Sequence, residues 1–245
     1  MNNQAISELN DIINNAKNIV FFGGAGVSTE SGIPDFRSAD GVYSGKYAYP
    51  AEYMVSHTFY KQNPREFFEF YFDKMVAPNA LPNPAHKYLA KLEHRGKLSA
   101  IITQNIDGLH QAAGSKHVYE LHGSVHRNYC EVCHKFFDLA AMLNLKPLPK
   151  CDKCGGPIKP DVVLYEEPLP MDQVEGAIKA IQKADVLIIG GTSLKVYPAA
   201  GLINYFSGDK LVVINMSPSP ADHLADLVIN APIGATFEAL DHLNK

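Results

Sequence analysis

Residues 21–37 read FFGGAGVSTESGIPDFR, and this stretch decides the fold of the chain. The apolar run at 19–22 that leads into it has the length and composition of a buried parallel strand. Glycines at 23, 24 and 26 then allow a sharp turn and the close approach of a bulky anion. Thr29 stands where the regular G-x-G-x-x-G pattern has its third glycine. The stretch predicts a phosphate- or dinucleotide-binding turn, and a plain structural turn is the alternative.

The composition limits the classes of protein. The 245 residues are 46% hydrophobic and 20% charged, which suits one large α/β domain with a full core, with or without a modest insertion. A net charge of −4 argues against a nucleic-acid partner, which normally requires a basic surface. The N-terminal segment lacks the pattern of a signal peptide, and no apolar run approaches the roughly 18 residues of a membrane helix. We expect a cytoplasmic protein with no nucleic-acid or membrane partner.

Apolar runs alternate with helical patterns along the rest of the chain. Strands are expected at 98–103, 118–121, 161–165, 184–190, 210–214 and 227–229. Helices are expected at 4–16, 85–95, 171–182, 198–206 and 233–243. Such alternation predicts an α/β fold with a doubly wound parallel sheet. The strand ends carry GGAG, QNID, HG, GTS and Asn215, which implies one elongated ligand of dinucleotide size in the crevice beside them.

Two of these strand ends hold the candidate catalytic side chains. The cluster Gln104-Asn105-Ile106-Asp107 could hydrogen-bond a ribose or a carboxamide, but asparagine and aspartate are equally suited to begin a helix. His122 directly follows a short strand, where an imidazole is well placed for general base work near neutral pH. Its position alone makes it the strongest candidate among ten histidines.

All four cysteines lie in two CxxC pairs. Cys130 pairs with Cys133 and Cys151 with Cys154, and 17 residues separate the pairs. This spacing is typical of a zinc ribbon with four thiolate ligands, which leaves no open position for water and makes the metal structural. A disulfide framework is the alternative, which the lack of a secretion signal disfavours.

A second region interrupts the alternation between residues 38 and 81. An irregular loop is expected at 38–50, followed at 51–77 by two or three short helices. Those helices carry an aromatic face made of Phe59, Tyr60, Phe67, Phe68, Phe70, Tyr71 and Phe72. We favour packing of these rings against the main sheet, and the alternative is that some line a substrate channel. The large domain would comprise about 1–37, 82–123 and 161–245, and the small domain about 38–81 and 124–160.

Taken together, these motifs resemble the sirtuin family of NAD-dependent protein deacylases, in its bacterial form. The matching segments run in the family's order from residue 24 to 200, with Asn215 beyond, and cover nearly the whole catalytic core. They are GAGVS (24–28), SGIPDFR (31–37), QNID (104–107), LHG (121–123), the four cysteines, GTSL (191–194) and YPAA (197–200). The combination is specific, whereas each segment alone is not.

The resemblance implies one catalytic unit, with a Rossmann-like NAD domain and a smaller domain made of the zinc ribbon and the helical insertion. The implied reaction transfers the acyl group of an acyl-lysine protein to NAD, giving nicotinamide, O-acyl-ADP-ribose and free lysine. His122 would act as the base on a ribose hydroxyl, with Asn105 as a second catalytic residue. The residues implied to contact NAD are Gly24, Ala25, Gly26, Thr29, Asp35, Phe36, Arg37, Gln104, Asn105, Ile106, Asp107, His122, Gly191, Thr192, Ser193 and Asn215.

The resemblance also implies how an acylated peptide binds. The peptide would add as a strand between 163–165 and 193–196 by main-chain hydrogen bonds, which makes side-chain selectivity weak. The residues implied to contact it are Tyr71, Lys74, Val163, Leu164, Tyr165, Leu194 and Val196. The chain is expected to act as a monomer, with NAD as co-substrate and one structural Zn²⁺.

Three positions depart from the family pattern. Glu166 stands where relatives usually have glycine, and Lys195 replaces the usual apolar residue after Ser-Leu. Relatives that prefer acidic acyl groups carry Tyr-x-x-Arg, whereas Tyr71 is followed here by Lys74, which cannot form a bidentate pair with a carboxylate. We expect deacetylation first, with desuccinylation weak or absent. An ADP-ribosyltransferase and a non-catalytic NAD-sensing or zinc-scaffold module are the alternatives, and the intact set of candidate catalytic residues disfavours both.

Overall fold

The computed structural model describes residues 3–36, 38, 41–42 and 47–244. Its strands are β1 (Ile19–Gly23), β2 (Leu98–Thr103), β3 (Val118–Glu120), β4 (Gly123–Cys130), β5 (Phe136–Phe137), β6 (Ile158–Val162), β7 (Val186–Gly190), β8 (Lys210–Ile214) and β9 (Leu227–Ile229). Its helices are α1 (Asn3–Asn15), α2 (Ala51–Met54), α3 (His57–Gln62), α4 (Pro64–Phe70), α5 (Pro84–His94), α6 (Leu109–Ala112), α7 (Leu139–Asn144), α8 (Met171–Lys183) and α9 (Ile233–Leu243). Short 3₁₀ turns lie at Ala25–Val27, Thr29–Ser31, Ala199–Tyr205 and Asp222–Leu224, and a π-helical turn at Tyr71–Met75 continues α4. None of the helices in this described part of the chain combines the length and the hydropathy needed to cross a membrane.

The parallel sheet has six strands, in the order β3-β2-β1-β7-β8-β9. This is the 3-2-1-4-5-6 order of a doubly wound sheet, and the direction of winding reverses between β1 and β7. All residues of β1 and β7 are buried, which explains why both strands are continuous apolar runs in the sequence. The register sets Gly23 beside Thr103 and Gly190, and Gly190 beside Ile214, so that four strands end in one row.

Two apolar cores cover the two faces of this sheet. On one face α1, α5 and α9 contribute side chains such as Leu9, Leu89 and Phe237. On the other face α8 contributes Ala177 and Ile181, together with the turn at Ala199–Tyr205. Helices on both faces are what a sheet of parallel, fully buried strands requires.

A separate antiparallel sheet, in the order β5-β4-β6, carries the cysteine pairs. It shares a third core with α2, α3 and α4, in which the aromatic rings meet Val125, Phe137, Ile158 and two of the cysteines. The rings therefore pack as we expected, but the expected partner was wrong. They contact the small sheet because helices already cover both faces of the large one.

The predicted fold class is confirmed, and β2, β8, β9 and α9 begin and end at the predicted residues. The strand expected at 161–165 is wrong, since β6 is Ile158–Val162 and pairs antiparallel with β4. Pro160 is tolerated there because β6 is an edge strand. Beyond β6 the backbone leaves the sheet: Val163 N–H donates to the carbonyl of His122 at 3.0 Å, and Tyr165 N–H to that of Val55 at 3.1 Å.

Candidate active site

The first part of the site is the row of strand ends at the carboxyl edge of the parallel sheet. Gln104 Nε2 donates to Thr192 Oγ1 at 3.0 Å, which joins the end of β2 to the turn after β7. Asn215, just after β8, accepts the Thr192 N–H on Oδ1 at 2.9 Å and donates from Nδ2 to the Thr192 carbonyl at 3.1 Å. The structure thus brings together predicted residues from three strand ends.

The glycine-rich turn after β1 packs against the turn after β7. Gly26 N–H donates to the carbonyl of Gly191 at 2.8 Å, and a Cβ at Gly26 would lie 2.8 Å from the Cα of Gly191. A Cβ at Gly24 would lie 2.9 Å from the Cβ of Thr192. Both glycines therefore let two turns touch, a packing requirement that acts in addition to any close approach by an anion.

A buried hydroxyl connects the glycine-rich turn to the QNID cluster. Ser28 Oγ donates to Asp107 Oδ2 at 2.7 Å and accepts from Asn105 Nδ2 at 3.1 Å. The other carboxylate oxygen of Asp107 accepts the N–H of Leu109 at 2.9 Å, where α6 begins. Asp107 therefore starts a helix with one oxygen and orders the polar network with the other. Sequence analysis missed Ser28, although its place in the GAGVS segment was a signal.

Two residues at the start of α5, Asn83 and His86, contact the glycine-rich turn that carries this network. Sequence analysis missed both. Asn83 Nδ2 donates to the carbonyl of Val27 at 2.7 Å, and Asn83 N–H donates to His86 Nδ1 at 3.3 Å. The ring proton of His86 is therefore on Nε2, which lies 3.5 Å from Ser28 Oγ. Burial lowers the pKa of His86, so that the ring is neutral near pH 7. In the sequence both residues look like an ordinary helix start.

His122 lies in the wall of the cleft, immediately before β4. Its Nδ1 is 2.9 Å from the carbonyl oxygen of Gln104. A carbonyl only accepts, so Nδ1 carries the proton and Nε2 keeps a lone pair. Burial lowers the pKa of His122, and the bond to the Gln104 carbonyl opposes that shift. The neutral ring can therefore take up a proton at Nε2 near pH 7.

The strand ends open into a cleft with a cavity of about 200 Å³. The predicted cofactor residues that line it are Ala25, Phe36, Gln104, Asn105, Ile106, Asp107 and His122. The predicted substrate residues that line it are Lys74, Val163, Leu164, Tyr165 and Val196. The other predicted residues of the described chain lie outside this lining, and they are Gly24, Gly26, Thr29, Asp35, Tyr71, Gly191, Thr192, Ser193, Leu194 and Asn215. Arg37 lies outside the described residues.

The two residues expected to select the acyl chain have different surroundings. Tyr71 is 2% exposed, stacks on Phe67 with ring centres 5.9 Å apart, and has a hydroxyl without a partner among the described residues. Lys74 lines the cavity, and its ammonium pairs at 2.8 Å with Asp73, which is not among the lining residues. Tyr71 therefore belongs to the aromatic core, and only Lys74 of the two reaches the cavity.

The four cysteine sulfurs form a compact group at the end of β4. All four Sγ atoms lie within 4.8 Å of one another, with 3.5 Å from Cys130 to Cys154 and 3.6 Å from Cys133 to Cys151. These separations are far from the roughly 2 Å of a disulfide and close to the roughly 3.8 Å between thiolates on a tetrahedral zinc. Backbone N–H groups of Val132 and Cys133 point at Cys130 Sγ, as in a metal knuckle. The donor set fits one structural Zn²⁺.

Comparison with known proteins gives closely similar relatives. A protein of Clostridium perfringens named NAD-dependent protein deacetylase is 64% identical over 94% of this chain and 95% of its own length. A protein of Cutibacterium acnes with the same name is 52% identical over 93% of this chain and 94% of its own length. Among solved structures, a Sir2 variant with deacetylated p53 peptide and 3′-O-acetyl ADP ribose has a TM-score of 0.90 at 39% identity, covering 97% of this chain and 98% of that one.

A second solved structure, Sir2 with p53 peptide and NAD⁺, has a TM-score of 0.85 at 39% identity, and each chain covers 98% of the other. The family model described as the Sir2 family matches residues 24–198. That match includes the glycine-rich turn, the QNID cluster, His122 and the four cysteines. The chain therefore belongs to the Sir2 family, the sirtuins.

Proposed function

We propose that this chain is an NAD-dependent deacetylase of acyl-lysine side chains in proteins, which releases nicotinamide, O-acyl-ADP-ribose and free lysine. The observation that carries the proposal is the place of His122, whose ring lies in one cleft with the strand-end amides and with the segment 163–165. The names of the relatives and the acetyl-ADP-ribose in the structural neighbour support the same reaction.

NAD, when bound, supplies the ribose that receives the acyl group and nicotinamide as the leaving group. We assign the adenosine half to Thr192, Ser193 and Asn215, at the joined turns after β7 and β8. The nicotinamide end is assigned to Phe36, Ile106 and Asp107, which line the cavity. The row between them is Gly24, Ala25, Gly26, Thr29, Asp35, Gln104, Asn105 and Gly191. This set of amides, hydroxyls and close backbone turns, with the two carboxylates of Asp35 and Asp107, fits a dinucleotide across the switch point of the sheet.

His122 takes a proton from a ribose hydroxyl at Nε2, because the Gln104 carbonyl holds the other ring proton at Nδ1. Asn105 is positioned by Ser28 Oγ, and by its own N–H to Thr103 Oγ1 at 3.0 Å. Since burial keeps the pKa of His122 below its ordinary value of 6.5, the base is unprotonated at neutral pH. Activity should therefore fall only below about pH 6.5, as the ring becomes protonated.

The acylated peptide is proposed to add as a strand between 163–165 and 193–196. In support, Val163, Tyr165 and Val196 line the same cleft, and 163–165 lies outside the ladder of β6. Leu164 also lines the cleft, and both Leu164 and Leu194 are buried. The division into a large domain (about 1–37, 82–123 and 161–245) and a small one (about 38–81 and 124–160) is supported by their separate cores, except that Val162 and Leu164, just past the proposed boundary, pack in the core of the small domain. We propose a monomer, because one chain supplies all the residues that line the cleft, and a cytoplasmic location, because the four cysteines form no disulfide.

The test is a reaction of purified protein with an acetyl-lysine peptide and NAD, with all products followed by mass spectrometry. We expect nicotinamide, O-acetyl-ADP-ribose and deacetylated peptide to form together. In the His122→Ala variant the rate should fall by about 10²–10⁴-fold, the usual contribution of a general base. Nicotinamide release with the peptide still acetylated would indicate a transferase or glycohydrolase instead. NAD binding without any consumption across acyl chains would indicate a sensing module.

The acyl chain preferred by the cleft is proposed to be acetyl. Lys74 is the only lysine or arginine among the described residues that line the cavity, and Asp73 pairs with it at 2.8 Å and raises its pKa, so an acidic acyl group must compete with Asp73 for this ammonium. We expect acetyl and succinyl versions of one peptide to differ by about tenfold or more in kcat/KM. Comparable rates on both peptides would contradict this ordering. Asp73→Asn should narrow the difference, while the same change at the exposed Asp172 should not.

A further inference from the structure

Glu166 has a backbone conformation that side chains disfavour. Its φ is +77°, in the left-handed region that is usually occupied by glycine. The residue is exposed and lies in the turn that follows the segment 163–165. A strained backbone conformation persists only where surrounding contacts stabilise it. The contacts of Glu166 therefore indicate why this conformation is kept.

The contacts of Glu166 are to the helical insertion. Its Oε2 accepts both the backbone N–H of Thr58 at 2.9 Å and the Thr58 hydroxyl at 2.7 Å. These two bonds lower the pKa of the Glu166 carboxyl, which is therefore ionised under ordinary conditions. We call this pair of bonds between Glu166 and Thr58 the clasp.

The clasp completes a seam along one wall of the cleft. Tyr165 N–H donates to the carbonyl of Val55 at 3.1 Å, and His57 N–H donates to the carbonyl of Tyr165 at 3.0 Å. Glu167 continues the seam, because its Oε1 lies 2.8 Å from His57 Nδ1. At the other end of the same segment, Val163 N–H is bonded to the carbonyl of His122 at 3.0 Å. The segment 163–167 is thus fixed at one end to the candidate base and at the other to the start of α3.

We infer that Glu166 is a positioning residue for the peptide substrate, whose carboxylate fixes the segment 163–167 as a preformed wall of the cleft by holding Thr58. The inference rests on the proposed function, since it assigns a role to the peptide side of that site. A preformed wall spares the peptide the entropy of ordering this segment when it binds. Loss of the clasp should therefore weaken peptide binding and leave both the NAD side and the base unchanged.

Steady-state kinetics with an acetyl-lysine peptide test the inference on variants of the full chain. Glu166→Gly loses the carboxylate but keeps the left-handed backbone accessible, and Thr58→Val removes the hydroxyl donor at nearly constant shape. Both should raise KM for the peptide, by about tenfold for Glu166→Gly and less for Thr58→Val, with kcat and the Kd for NAD unchanged. Glu166→Gln keeps an acceptor oxygen and should restore most of the wild-type KM. Glu175→Ala, an exposed glutamate on α8, is the matched control.

The outcomes separate the inference from the proposed function. Wild-type protein without NAD-dependent deacetylation overturns both. Active wild-type protein with an unchanged KM in Glu166→Gly overturns the clasp alone. A fall in Tm and in kcat, with KM constant, shows a purely structural contact and also overturns it. The double variant Glu166→Gly/Thr58→Val should have no higher KM than Glu166→Gly, because one interaction cannot be lost twice.

Discussion

The two sheets of the molecule are stabilised by different means. The six-stranded sheet buries whole strands between two apolar cores and holds its polar site residues along one edge. The three-stranded sheet has a two-residue edge strand, β5, and relies on an aromatic core and on four cysteine thiols. The cleft lies between them, with His122 at the junction, so the candidate chemistry needs both sheets in place. Because the two sheets are stabilised differently, a treatment that destabilises one sheet should leave the stability of the other unchanged.

Removal of zinc should have the largest effect. Structural zinc contributes on the order of 10 kcal/mol to sites of this kind, more than a small sheet can replace by packing. Cys154→Ser, at an exposed ligand, should abolish deacetylation and release amide protection in β4 and β6 while β1, β2 and β7 stay protected. Hydrogen exchange followed by mass spectrometry gives the measurement, with Val132→Ala, an exposed neighbour that is no ligand, as control.

Equal loss of protection in both sheets after Cys154→Ser would contradict the comparison, because it would mean that the two regions unfold as one. Retained activity in metal-free protein would contradict the assignment of the cysteines to a structural role. Zinc content, measured on the same samples, distinguishes partial loss of the metal from a structure and activity that do not depend on it.

The difference between the two sheets also determined how accurately their strands could be located from the sequence. Parallel strands of a covered sheet are mainly apolar runs that stop at glycine or polar residues, so β2 and β8 were located to the residue although each contains one exposed polar side chain. β6 was misplaced because it is half-buried, contains Pro160 and is followed by an apolar segment that only resembles a strand. Ser28 and His86 lie 58 residues apart, so their contact depends on tertiary structure that no local pattern reveals. The left-handed φ of Glu166 was equally hidden, since a glutamate gives no sign of it.

Acidification should have the next largest effect, and it should act on the six-stranded sheet. His86 and His110 are buried with ring centres 4.8 Å apart, and neither ring nitrogen of His110 has a partner among the described residues. Burial lowers the pKa of both rings below 6.5, and His86 lowers that of His110 further. At acidic pH the unfolded chain therefore binds more protons than the folded chain. The free energy of unfolding has its full value above about pH 6.5. Below that pH it falls by about 1.4 kcal/mol per pH unit for each histidine.

Urea unfolding between pH 7.5 and pH 5 gives the measurement for this histidine pair. His110→Phe should make the dependence on pH clearly shallower, because one buried imidazole is gone, while His86 and His122 remain. His94→Gln removes an exposed histidine on the same helix as His86 and should leave the slope unchanged. If the wild-type protein were as stable at pH 5 as at pH 7.5, these rings would be protonated in the folded state without loss of stability. That result would contradict the prediction, which rests on their burial.

The smallest effect is expected where the two glycine turns touch at the edge of the sheet proposed to bind the cofactor. In Gly26→Ala the new methyl would lie 2.8 Å from the Cα of Gly191, a backbone atom that cannot rotate away. The turns must separate, which we expect to cost about 1–3 kcal/mol of stability and to weaken NAD binding by about tenfold, measured by calorimetric titration. Gly201→Ala adds the same methyl where the nearest atom is 3.6 Å away, and it should change neither quantity. Zinc content should stay at one per chain in both variants, because the strain arises in the six-stranded sheet alone. Unchanged NAD affinity in Gly26→Ala would mean that the dinucleotide does not depend on the contact between these turns, and the assigned cofactor edge would have to be redrawn.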